Sequence, residues 1–285
     1  MKSNIRVSLV IPAYNEESHL TATLKAVSEQ TVKPFEVIVV DNNSTDQTAV
    51  IARSFPFVTL LHEPRQGVVN ARTTGFNTAR GDIIGRIDGD TRIAPNWIET
   101  LQAVFADQSV DAVSGSVHYY DIPLTTVIDP IDVGLRTWMA KHMGSVYLWG
   151  ANMGIRRSVW HKVAARVCNR KFFHEDLDLA VHLGKEDCRV IFESKLFAGI
   201  SGRRIDTNPL SFWRYVWLND FTYAQHGVRE RLYMYPVLSL VVLFYAPLRI
   251  MYRGYDERTQ HFSLRTLFAP PIAAGRVDPA VFHAD

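Results

Sequence analysis

The feature that most limits the fold is a recurrence: between residues 7 and 87, short apolar runs alternate with segments of helical periodicity. Val-Ser-Leu-Val-Ile at 7–11, Val-Ile-Val-Val at 37–40, Val-Thr-Leu-Leu at 58–61 and the stretch 82–87 are nearly continuous in their apolarity. A strand with one wet face alternates apolar and polar residues, whereas continuous runs mark strands covered on both faces. Between these runs, Leu20, Leu24 and Val27 recur at helical spacing before Pro34, with Asn15 placed to cap that helix. Ser44 and Gln47 have the spacing of a capping box for a second helix. Residues 68–80 read as a third, stopped by Gly81. Strand and helix alternating through short connections predict an α/β fold, a mostly parallel sheet flanked by helices.

In such a sheet, ligands bind beyond the carboxyl ends of the strands. Tyr14, Asn15 and Glu16 follow the first strand, Asp41 the second, and Asp88 and Asp90 the fourth. Successive crossovers therefore bring carboxylates to one edge. Each piece has a plainer reading. Asp-Asn-Asn-Ser at 41–44 is also turn chemistry, Asp-Gly-Asp at 88–90 is also a β-turn, and Arg72 alone is an ordinary helix residue. The functional reading is that two carboxylates flanking a flexible glycine hold a hard divalent cation that bridges to substrate phosphates.

Taken together, the segments 7–16, 37–44, Ala71-Arg72 with Gly75, and Ile-Asp-Gly-Asp at 87–90 resemble the inverting family-2 glycosyltransferases of the GT-A (Rossmann-like) fold. His-Glu-Asp-Leu-Asp-Leu at 174–179 resembles that family's Glu-Asp motif, and Ser-Gly-Arg-Arg at 201–204 its Ser-x-Arg-Arg element. The resemblance runs from residue 7 to about 205, in order and in spacing. It implies that Pro12, Ala13, Tyr14 and Glu16 line a nucleotide pocket, that Asp41 bonds the base, and that Arg72 sits near the base or diphosphate. It implies that Asp88 and Gly89 face ribose and metal, and that Asp90 ligates Mn²⁺ or Mg²⁺ directly. Asp176 becomes the general base, Glu175 shapes the acceptor site, and Arg203 or Arg204 meets phosphate. His174 reads as a packing or hydrogen-bonding neighbour, and Trp149 and Asn152 as sugar contacts, with core packing the alternative for Trp149. Acids at 175–176 are also what a first helical turn favours through its dipole. The later histidine that ligates metal in many GT-A enzymes has no counterpart near Ser201. Processive members carry Gln-x-x-Arg-Trp, whereas this chain has Trp213-Arg214 with no matching Gln, which argues against a polymerising synthase.

The implied partners are a UDP-, GDP- or dTDP-sugar donor and a glycan or lipid-linked acceptor. A formal charge of +2, from 31 basic and 29 acidic residues, does not describe a strongly basic nucleic-acid binder. A nucleotidyltransferase also uses a parallel sheet and paired acids, but it opens with a Gly-rich basic loop where this chain has Pro-Ala-Tyr-Asn-Glu-Glu. A catalytically inactive sugar-nucleotide-binding module is the third alternative. Cys168 and Cys188 match neither a disulfide framework nor a zinc site by spacing. The apolar run at 7–13 is too short and too soon charged for a signal peptide, which places the enzyme in the cytoplasm.

Beyond residue 210 the character changes, and the expected division is a catalytic domain at 1–210 and a helical, apolar extension at 211–285. Residues 232–248 carry no charge, with Arg229, Arg231, Arg249 and Arg253 on the flanks and Tyr233, Tyr235, Tyr245 and Tyr252 near the ends. That pattern suits a membrane-surface or re-entrant helix pair, split near Pro236 or Pro247, with a buried or interface-forming hairpin as the alternative.

Overall fold

The structure is a computed structural model, and it describes residues 5–123, 125–143, 147–169, 173–256, 259, 261–263 and 267. In chain order, β1 (Val7–Ala13), α1 (Leu20–Ser28), β2 (Glu36–Asp41), α2 (Thr48–Arg53), β3 (Val58–His62), α3 (Val68–Thr78) and β4 (Ile83–Ile87) carry out the predicted alternation. Then follow β5 (Arg92–Ile93), α4 (Trp97–Phe105), β6 (Ala112–Tyr119), α5 (Thr125–Met143), β7 (Asn152–Arg156) and α6 (Arg157–Val163). Next come α7 (Glu175–Lys185), β8 (Val190–Ile200), α8 (Pro209–Gln225), α9 (Met234–Leu243) and α10 (Tyr245–Gly254).

One sheet runs β3-β2-β1-β4-β7-β6-β8-β5. The β1–β2, β2–β3, β1–β4 and β6–β8 pairs are parallel, while β7 is antiparallel to both β4 and β6. The chain moves outward from β1 through β2 to β3, then returns to place β4 on the other side of β1. That reversal opens a crevice at the carboxyl ends of β1 and β4. Because β7 runs opposite to β4, Asn152 pairs with Ile87, and the residues before β7 fall beside Asp88.

The continuous apolar runs are explained by cover on both faces. Val7, Leu9 and Ile11 pack with Leu24, Val27, Trp97 and Phe105 on one face, and Val10 packs with Ala71, Phe76, Trp160 and Leu183 on the other. Gly75 lets α3 lie directly on β1, since a Cβ there would stand 2.4 Å from Val10 Cγ1. A further cluster joins Met139, Leu177 and Val181 to Phe212, Tyr223, Met234 and Leu238, so the apolar contacts cross residue 210.

Two expected caps are replaced. Asn15 does not cap α1; it adopts φ 52° and its Oδ1 accepts the Thr45 N–H at 2.9 Å. Ser44 does not cap α2; its Oγ accepts the Asn15 N–H at 3.0 Å, and Asp46 receives the Thr48 N–H at 2.9 Å. The two side chains fasten the loops after β1 and β2 to each other, a long-range pairing that local spacing cannot signal. In the extension, Pro236 and Pro247 each lie in the first turn of a helix, where the missing N–H leaves no bond unmade. The break falls at Phe244, between α9 and α10 and three residues before Pro247, near the second of the two expected positions.

Candidate active site

A cleft opens at the crevice, and the loop after β1 forms one wall with Pro12, Ala13, Tyr14 and Glu16. Asn42 follows β2, Arg86, Asp88 and Gly89 end β4, Trp149 and Gly150 precede β7, and His174, Glu175 and Asp176 open α7, with Arg204 and Tyr215 opposite. Asn42 shapes its wall by hydrogen bonds: its Nδ2 donates to the carbonyls of Glu63 (3.0 Å) and Arg65 (2.8 Å), and its Oδ1 accepts the Gly67 N–H at 2.7 Å.

Asp176 is held from several sides. Its Oδ2 accepts the Gly150 N–H at 3.0 Å, and its Oδ1 accepts the Leu177 N–H at 2.9 Å and lies 3.2 Å from His174 Nδ1. Burial alone would raise its pKa, but the hydrogen bond and charge of His174, the Gly150 N–H and the Arg86 cation outweigh it. The net effect holds the carboxyl well below the usual range, so Asp176 is ionised at neutral pH. His174 is itself fixed, its N–H donating to Thr222 Oγ1 at 2.9 Å and its ring edge-on to Tyr215.

Beneath Asp176 lies a charge cluster. Arg72, 0% exposed, donates to Glu175 Oε2 at 2.5 Å and to the Glu175 carbonyl at 2.7 Å. Arg86 pairs with the other Glu175 oxygen and also with Asp88 Oδ1, the latter at 3.2 Å. Burial works against both cations. For Arg72 it prevails and lowers the pKa, whereas at Arg86 the charges of Glu175, Asp88 and Asp176 more than compensate and raise it. Gly150 makes this approach feasible, because a Cβ there would meet Arg86 Nη1 at 2.3 Å.

A second cluster lies beside the first loop. Arg203 pairs with Glu16 Oε1 and with Asp90 Oδ2, the latter at 2.9 Å, and Asp90 is 3% exposed. The Asp88 side chain is 28% exposed and faces the cleft. Beside the His19 imidazole, which lies 3.2 Å from Arg203, this wall offers the carboxylate oxygens of Glu16, Asp88 and Asp90, and these suit Mg²⁺ or Mn²⁺, ions that need only one or two such ligands beside phosphate and water. Asp88 lines the cleft, while Asp90 lies behind it, paired with Arg203.

Residues 8–163 match the model of glycosyl transferase family 2. The chain belongs to that family. Glycosyltransferase AglE of Haloferax volcanii is 37% identical over 120 residues, 40% of each chain, and glycosyltransferase GlyG of Streptococcus pneumoniae is 32% identical over 120 residues, again 40% of each. The matched segment thus spans 40% of the length of these curated relatives. Among solved structures, the mannosyltransferase PcManGT from Pyrobaculum calidifontis, in complex with GDP-Man and Mn²⁺, superposes with a TM-score of 0.65 at 20% identity, covering 86% of this chain and 74% of its own. Staphylococcus aureus TarS 1–349 in complex with UDP-GlcNAc gives 0.54 at 17% identity, covering 76% and 66%. These likenesses show the GT-A fold.

In this family-2 glycosyltransferase the fold gathers Pro12, Ala13, Tyr14, Glu16, Asp88, Gly89, Glu175, Asp176 and Arg204 around one cleft. Other expected residues stand elsewhere. Asp41 is 5% exposed and outside the lining, with its Oδ1 accepting the Ser44 N–H at 3.2 Å and its Oδ2 3.4 Å from His62 Nδ1. Arg72 is a buried partner of Glu175 outside the cleft lining, and Glu175 itself is engaged by two arginines. Arg203 bonds Glu16 and Asp90, leaving Arg204 as the Ser-x-Arg-Arg cation on the cleft, its guanidinium 4.0 Å from the Tyr215 ring centre. Asn152 is core rather than a sugar contact: it is 0% exposed, donates to the Ser116 and Leu196 carbonyls, and accepts from Trp97 Nε1. Trp149 lines the cleft while the Arg136 guanidinium stacks 3.5 Å from its ring centre. Sequence reasoning missed Arg86, Asn42 and Gly150. The signal available for Arg86 was a charge inside an otherwise apolar strand, which a soluble fold tolerates only beside a partner.

Proposed function

We propose that this chain transfers a sugar, with inversion, from a nucleoside-diphosphate donor to an acceptor hydroxyl or lipid phosphate, in cell-envelope glycan or glycolipid synthesis. The observation that carries the reading is the cleft itself: an ionised Asp176, fixed by Gly150 and His174, faces the same space as Asp88, Glu16 and the loop after β1. The nucleotide lies against Pro12–Glu16, and Arg204 donates charge-assisted hydrogen bonds to phosphate. Asp176 accepts the acceptor's hydroxyl proton on the side of the sugar opposite the leaving diphosphate, which makes a single displacement and inverts the anomeric centre. Mn²⁺ or Mg²⁺ held by Asp88, with Asp90 beneath, would supply Lewis-acid stabilisation of the departing diphosphate.

The test is a panel of UDP-, GDP- and dTDP-sugars incubated with the purified chain and Mn²⁺, reading release of nucleoside diphosphate. The expected outcome is release with one donor, lost in Asp88→Asn or in excess chelator. Pyrophosphate release in a parallel reaction with nucleoside triphosphates and sugar 1-phosphates, with no diphosphate release from the nucleotide sugars, would instead identify a nucleotidyltransferase. Donor binding without release across an acceptor panel would identify a binding module. Asp90→Ala is the poorer probe, because it leaves the buried Arg203 with less counter-charge and lowers stability as well.

We propose in addition that the enzyme docks on the cytoplasmic face of a membrane, where a lipid-linked acceptor would be found. No single helix among the described residues is long and apolar enough to cross a membrane, but residues 229–243 and α10 form a pair bent by 50° that together have the length and composition. Leu243 and Phe244, at the bend, are 70% and 52% exposed, and Leu240 and Ile250 are exposed beside them. Of the flanking arginines, Arg231 pairs with Asp220 and Arg249 and Arg253 pair with Asp206, so the exposed apolar bend carries the docking. Flotation with phosphatidylglycerol vesicles checks this. Co-migration lost in Leu243→Asp/Phe244→Asp supports it, and a chain that stays at the bottom of the gradient overturns it.

A further inference from the structure

Away from the cleft, four side chains of metal-binding type converge on the side of α7 that carries Asp178 and His182. Cys168 comes from the connection before α7, Asp178 and His182 lie one turn apart on it, and His226 follows the end of α8. One donor atom from each lies within 4.8 Å of all the others, and no other such group is present among the described residues. Asp178 is 0% exposed. Its Oδ1 is 2.7 Å from His226 Nε2 and 3.6 Å from His182 Nε2, while Cys168 Sγ is 4.0 Å from His182 Nε2.

We propose that Cys168, Asp178, His182 and His226 bind a structural zinc ion. A thiolate, two imidazoles and one carboxylate make a closed tetrahedral set, matched to zinc in softness and number. The hard cation of the cleft is a poor match, since only Asp178 offers oxygen. Zinc bonds of about 2.0–2.3 Å put tetrahedral donors about 3.3–3.8 Å apart. Three of the separations here, 2.7, 3.6 and 4.0 Å, lie around that range and all fall within 4.8 Å, so side-chain rotations of ångström size close the shell. Asp178 Oδ2 already accepts the Cys168 N–H at 2.8 Å, which draws the thiol-bearing backbone to the site. The exposed Lys185 ammonium, 3.3 Å from His226 Nδ1, withdraws to solvent when Nε2 ligates and Nδ1 keeps its proton. The ion would pin the connection before α7, α7 itself and the end of α8 to one another. The first turn of α7 carries Glu175 and Asp176, so zinc here fixes the helix that places the base. The competing arrangement is a metal-free network in which Asp178 simply accepts from His226 and the Cys168 N–H.

Zinc and cobalt titrations of the chelator-stripped full chain decide between them. Wild type should retain one zinc per chain against a weak chelator and melt higher with zinc than without. Co²⁺ should give intense tetrahedral visible bands and a thiolate-to-cobalt charge-transfer band. Cys168→Ser should lose that band and the zinc-induced rise in melting temperature, and His226→Gln should weaken zinc at least tenfold. Cys168→Ser is nearly isosteric and carries the test if His226→Gln does not fold. A wild type that takes up no zinc, a six-coordinate cobalt spectrum without a thiolate band, or undiminished zinc affinity in Cys168→Ser would each overturn the proposal. The last would place the ion elsewhere, at Asp88 and Asp90.

Discussion

Glu175→Gln separates a residue that acts on the acceptor from one that holds the site together. The substitution keeps the shape and removes the charge shared by Arg72 and Arg86, which are 0% and 3% exposed. Removing one partner of a buried ion pair costs about 3–5 kcal/mol, because the remaining charge stays buried. Asp88 at 3.2 Å still serves Arg86, whereas Arg72 keeps the Glu175 carbonyl, the Trp160 ring 5.7 Å away and the more distant Asp178 charge but no carboxylate in contact, so the upper part of that range applies. With an unfolding entropy of about 2.1 cal/mol/K per residue, that loss lowers the melting temperature by roughly 7–8 °C. Calorimetry of wild type and variant reads it directly, with turnover measured well below both transitions. An unchanged melting temperature together with lost turnover would refute the clamp and return Glu175 to the chemistry.

Asp176→Asn should reduce transfer by about 10²–10⁴-fold while donor affinity, followed by titration, stays near wild type; a parallel loss of donor affinity would make Asp176 a binding residue. His174→Gln removes the hydrogen bond and charge that depress the Asp176 pKa. A depressed carboxylate contributes stability and activity above its unfolded pKa and loses them as pH falls through its folded one, so raising the folded pKa should move the acid limb of kcat/KM to higher pH. An unmoved acid limb would exclude His174 as the residue that poises Asp176. Gly150→Ala forces the Arg86 guanidinium off Glu175, and overpacking of this kind costs about 1–3 kcal/mol; the melting temperature and kcat should fall together, and a silent variant would mean that the guanidinium has room to shift.

What the sequence determined by itself was the layered α/β half and the carboxylates on one sheet edge. Continuous apolar runs, helical periodicity and position in the strand–loop order are local signals, and one period suffices to place Pro12–Glu16, Asp88 and Asp176 beyond strand ends or at a helix start. The tertiary structure decided which charged side chains face the cleft and which neutralise one another beneath it. Glu175 and Asp176 are adjacent in sequence, yet one is turned onto Arg72 and Arg86 and the other onto Gly150 and His174. Arg203 and Arg204 divide in the same way, between Asp90 and the cleft. A buried charge needs a partner, and here the partners lie a hundred or so residues away, as with Arg72 and Glu175, separated by 103 positions. No local pattern encodes such a pairing. The same holds for Cys168 and His226, whose spacing resembles no metal motif and whose side chains meet only because α7 and α8 pack together.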